Sequence, residues 1–69
     1  MKLRWRIGTG DWTPYKAEGG RGTYRIYDRG GRIWSAWVRE PGRRLPDHLG
    51  DHASPKQARE ACQQHEEEQ

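Results

Sequence analysis

A chain of 69 residues with 30% apolar content, no phenylalanine and one cysteine makes a single domain and excludes an internal disulfide. No apolar run approaches the roughly 18 residues of a membrane span, and the apolar stretch in MKLRWRIGTG is too short for a signal peptide; with the lone Cys62, this suits a reducing, cytoplasmic setting in a bacterial cell. The net charge of +3 divides unevenly: residues 1–46 hold eleven Lys and Arg against four acids, a net of +7, and residues 47–69 hold two against six, a net of −4.

A domain of this size buries only about 60% of its unfolded surface. Four Trp and three Tyr must therefore supply much of the core. In chain order, LRWRI (3–7) alternates strictly, with Leu3, Trp5 and Ile7 on one face and Arg4 and Arg6 on the other, the pattern of a half-buried strand. GTGDWTPYKAEGGRG (8–22) reads as a glycine-rich loop, with room for a short strand. Its Trp12 and Tyr15 are expected to pin it to the body or cover a sheet edge.

TYRIYDRGGRIWSAWVR (23–39) reads as a β-hairpin. A three-residue loop, Arg29-Gly30-Gly31, pairs Tyr27 with Ile33 and Ile26 with Trp34, with Gly31 in the left-handed position. That register gathers Tyr24, Ile26, Trp34, Ala36 and Val38 on one apolar face. The other face receives Thr23, Arg25, Tyr27, Ile33, Ser35, Trp37 and Arg39. EPGRRLP (40–46) is a basic turn, and DHLGDH is read as a third strand ended by Gly50, with Pro46 confining its start to an edge.

SPKQAREACQQHEEE opens a helix, with Ser54 as N-cap, Pro55 at the first helical position and Gln57 completing a capping box. Ala58, Ala61, Cys62 and His65 form its inward stripe. Glu66, Glu67 and Glu68 crowd an end where the helix dipole disfavours acids, so that end is expected to fray. The expected fold is α+β: one domain, 1–69, with an N-terminal strand and loop (1–22), an antiparallel sheet (23–52) of three strands, four if the first strand joins, and a helix (54–67) packed on one face.

The helix covers one face only, and the uncovered face is the candidate site. Arginine forks suit guanine edges and phosphates, and aromatic rings stack on bases. Arg4, Arg6, Arg25, Tyr27, Arg32, Trp37, Arg39, Arg43 and Arg44 are the residues expected to contact nucleic acid, double-stranded DNA first. Trp, Tyr and Arg also dominate protein interfaces, so a protein partner or self-association through the same face is the alternative. A further alternative is plain burial of Trp37 and Tyr27 under the 8–22 loop or the N-terminal strand.

His48, His52, Cys62 and His65 contain zinc-ligand types but no C-x-x-C pair, so no metal or other cofactor is expected. Cys62 falls on the packing stripe rather than in a cleft, Asp47 and Asp51 have no evident convergent partner, and GTG and GGRG match no phosphate loop. A non-enzymatic module is expected.

The pieces YR (Tyr24-Arg25), WSAWVREP (34–41), HLG (48–50) and SPKQAREA (54–61) together resemble the plant ethylene-response-factor, or APETALA-type, DNA-binding domain and its prokaryotic and phage relatives, over residues 24–65. The N-terminal domains of phage-type integrases share the three-strand-plus-helix shape. The resemblance implies major-groove reading by the sheet, with Arg25 and Arg39 on contact positions. Asp28, Gly31, Trp37, Pro46 and His48 depart from that pattern. Ten Arg against three Lys suits a GC-rich bacterial or phage source.

Overall fold

The computed structural model describes residues 2–7 and 15–68; Trp12, expected to pin the 8–22 segment, lies outside them. Strands β1 (Trp5–Ile7), β2 (Tyr15–Glu18), β3 (Thr23–Gly30), β4 (Ile33–Arg39) and β5 (Asp47–His52) form one antiparallel sheet in chain order, and helix α1 (Pro55–Glu67) follows. The fold is α+β as expected, but the sheet has five strands rather than three or four.

The extra strand is β2, drawn from the glycine-rich segment. Its four residues alternate as a strand should: Tyr15 and Ala17 pair with Ile26 and Tyr24 toward the core, leaving Lys16 and Glu18 on the other side. β1 then pairs with β2, setting Trp5 opposite Ala17. The helix packs on β3, β4 and β5 and does not reach β1. Leu3 is therefore buried and Trp5 half-buried, but Ile7, at the far end of the edge strand, is 80% exposed.

The hairpin register differs from the expectation by two residues: Tyr27 pairs with Ser35 and Ile26 with Ala36. The turn is Gly31-Arg32, both with positive φ (60° and 65°), a combination that matches the right-handed twist of the strands. A bulge at Arg29 precedes it, with Asp28 Oδ1 accepting from the Gly30 amide at 2.9 Å. A slip of two preserves the side-chain alternation. Tyr24, Ile26, Ala36 and Val38 are accordingly fully buried, with Trp34 packed against them.

β5 does not end at Gly50. It bulges at Leu49, so that Gly50 (φ 107°) pairs with Ala36 while His48 pairs with Trp37. The bulge turns Leu49 to the core and His48 to the opposite face.

The helix begins as expected, Ser54 Oγ accepting from the Gln57 amide at 3.2 Å, although Gln57 Oε1 reaches the Ala53 amide rather than that of the cap residue. Ala58 and Cys62 are buried to zero exposure, while Ala61 and His65 are half-buried. The fraying expectation is overturned. Glu66 is buried, accepting from the Gly20 amide (2.7 Å), the Arg21 amide (3.1 Å) and the Tyr24 hydroxyl (3.0 Å). Arg21 Nη1 donates to the carbonyls of His65 (2.9 Å) and Glu68 (2.6 Å), closing the helix end. Among the described residues, no helix is long and apolar enough to cross a membrane.

Candidate nucleic-acid interface

The register aligns Arg6, Lys16, Arg25, Trp37 and His48 in one row across all five strands, on the face opposite the helix. The next row along the strands carries Glu18, Thr23 and Arg39, and the row on the other side carries Tyr27, Ser35 and Asp51. Among the described residues, Arg6, Lys16, Arg25 and Arg39 form no ion pair, so their charge is available to an external anion.

Trp37, on β4 beside the edge strand, is half-buried on this face, with the His48 ring 4.5 Å away and tilted by 35°. His48 is steadied by Asp51, whose Oδ1 lies 3.0 Å from His48 Nε2 and accepts from the buried Ser35 hydroxyl at 2.6 Å. The Ser35 hydroxyl, then His48, holds the Asp51 carboxyl below its usual range. Asp51 thus has convergent partners that the sequence did not disclose; their task is to orient a ring beside Trp37.

A trough of about 360 Å³ is lined by Thr23, Arg25, Tyr27, Arg29, Trp37, Arg39 and Pro46. A neighbouring hollow shares Thr23, Arg25 and Arg39 with it and continues to Glu18. Glu18 in turn borders a basic hollow with Lys2, Arg4, Arg6 and Lys16. The concave track therefore crosses the sheet from β1 to β4, floored by aromatic surface at one end and rimmed by cations at both, with Glu18 and Glu40 lining the hollow between them.

Of the nine residues expected at the site, Arg25, Tyr27, Trp37 and Arg39 converge on the trough, and Arg4 and Arg6 on the basic hollow. Arg32 stands at the hairpin tip, Arg43 pairs with Asp47 at 3.3 Å, and Arg44 is exposed in the 40–46 loop. Lys16, Arg29 and Pro46 join the site without having been expected. Lys16 was legible in the alternation of YKAE; Arg29 faces the trough because of a bulge that no periodicity announces.

The remaining chemistry-bearing residues do not converge. Cys62 is enclosed, and burial pushes its thiol up to about 12. His65 Nδ1 meets the Tyr24 hydroxyl at 2.9 Å. His52 Nε2 is buried without a hydrogen-bond partner among the described residues. Among the described residues, no three His, Cys, Asp or Glu side chains are grouped to hold a metal ion. No family model, curated protein or solved structure matches this chain.

Proposed function

We propose that this chain is a small non-enzymatic binding module whose open sheet face takes nucleic acid, the sequence pointing to double-stranded DNA and a regulatory or accessory role in a bacterium or phage. The observation that carries this reading is the row Arg6-Lys16-Arg25-Trp37-His48, which spans every strand without an acid and sets three unpaired cations in line beside an aromatic pair. Cations of this kind release counterions when they meet phosphates, and that release drives binding. The APETALA-type resemblance adds Arg25 and Arg39 as contact positions.

An electrophoretic mobility shift with mixed-sequence DNA checks this: a complex forms at low salt and weakens steeply at moderate salt. Absence of a complex at low salt sinks the reading. The apolar floor of the trough, with Tyr27, Trp37 and Pro46, favours a second reading as a protein-docking face. There Trp37→Ala costs roughly 2 kcal/mol or more while Arg25→Ala matters less, and capture from nuclease-treated lysate persists. An isologous dimer through this face would bring two sets of unpaired cations together, so light scattering is expected to report a monomer.

A further inference from the structure

We propose that the nucleic acid is single-stranded DNA, laid along the concave track with a base stacked on Trp37. This rests on the reading of the open face as a nucleic-acid surface and replaces the duplex to which the sequence points with a single strand. The width of the sheet decides between strand and duplex. At the level of Arg25 and Trp37 the sheet is five strands wide, about 19 Å between its outer strands at a spacing of about 4.8 Å. A major groove is about 12 Å wide and admits a helix or a narrow ribbon. Strands β3 to β5 alone, about 10 Å across, would fit; β1 and β2 would strike the groove wall.

Among the described residues, the sheet narrows to three strands in the distal half of the hairpin, and there the open face presents Tyr27, Arg29, Ser35 and Asp51, the acid already engaged by Ser35 and His48. Arg6, Lys16, Arg25 and Arg39 lie in the wide half instead, and Arg29 is left at the bulge. Trp37 is recessed in a trough rather than raised on a ridge, so a base paired within a duplex cannot reach it, whereas an unpaired base can enter and stack. Arg25, Arg29 and Arg39 border the trough at positions suited to the flanking phosphates, and Arg6 and Lys16 continue the positive track toward β1. The choice of DNA over RNA is carried over from the DNA reading of this face, since the Thr23 and Tyr27 hydroxyls in the trough can accept from a ribose 2′-hydroxyl.

Fluorescence anisotropy with a labelled mixed-sequence DNA 12-mer, its duplex and its RNA counterpart tests the proposal on the full chain at low salt. The single DNA strand is expected to bind about tenfold tighter than the duplex. Trp37→Ala is expected to weaken the single strand roughly fivefold to a hundredfold, the range of one lost stack, and to leave the duplex unchanged. Trp37→Phe, which keeps a ring and the fold, is expected to recover most of the loss. A duplex bound as tightly as the single strand, or RNA bound tighter than DNA, overturns the proposal while the nucleic-acid reading stands. A chain that binds none of the three probes overturns both.

Discussion

Glu66 occupies the last turn of a helix, where an acid is disfavoured by the dipole, yet its carboxylate joins the helix to the 19–22 loop and to Tyr24. Burial pushes the carboxyl up; the Arg21 and Gly20 amides and the Tyr24 hydroxyl more than offset this, so it titrates below its ordinary range. A carboxyl whose folded value lies below its unfolded one contributes stability that is complete above about pH 4.3 and is lost as pH falls through the lower folded value. Thermal melts of the parent are therefore expected to fall on acidification below that point, and Glu66→Gln to flatten the fall. At neutral pH Glu66→Gln leaves a buried amide facing backbone donors, costing about 2 kcal/mol, or roughly 8–16 °C of melting temperature in a domain this small. Gly19 shares the constraint, since a Cβ there would stand 2.5 Å from Glu66 Oε1 and 2.7 Å from Leu3 Cδ2. Cys62 makes the opposite case: enclosed and with a raised thiol pKa, it is expected to resist thiol reagents in the native state and to react only on unfolding, which an absorbance assay with and without denaturant separates.

At the scale of elements, what could be read from the sequence was the parity of side chains, and what could not was register. Tyr24, Ile26, Ala36 and Val38 reach the core because alternation assigns them one face whether the hairpin closes at one pair or at the pair two residues on. The turn itself was misplaced because Gly30 and Gly31 both suit a left-handed position, while Arg32 gives no sign in the sequence that it will adopt one. β2 was legible only as room for a short strand, because four residues between Pro14 and Gly19 carry too little periodicity to outweigh their surroundings. It is stabilised by pairing on both sides with β1 and β3, and with it comes the width of the open face, on which the choice between duplex and single strand depends. The lock at the end of α1 was invisible for a related reason: the partners of Glu66 are backbone amides more than forty residues away. A left-handed conformation costs a non-glycine residue about 1–2 kcal/mol, partly set against the chain entropy of glycine. Arg32→Gly is thus expected to stabilise the hairpin by about 0.5–1 kcal/mol and, since Arg32 lies at the tip and away from the trough, to leave oligonucleotide affinity close to the parent's. A fall in chemical-denaturation midpoint would contradict the turn assignment.

For the whole molecule, much of the charge asymmetry of the sequence becomes two sides of one body, although Asp47 and Asp51 of the acidic half stay with the sheet on β5. The sheet offers Arg6, Lys16, Arg25, Arg29 and Arg39, while the exposed surface of the helix carries Glu60, Glu67 and Glu68. A polyanion approaching such a molecule is steered to the sheet and repelled from the helix. This separation gives charge and stacking distinct experimental signatures. Five phosphate contacts imply a slope of log affinity against log salt of roughly −3.5 for a single strand. Arg25→Ala is expected to lower the magnitude of that slope by about 0.7, because one counterion fewer is released. Trp37→Ala is expected to lower affinity at every salt concentration while keeping the parent's slope, since a stacked base releases no counterion. Anisotropy titrations at four or five salt concentrations measure both quantities in one series. If Trp37→Ala changed the slope and Arg25→Ala did not, the cations of the row would not be meeting phosphates, and the face would be binding through its apolar floor alone.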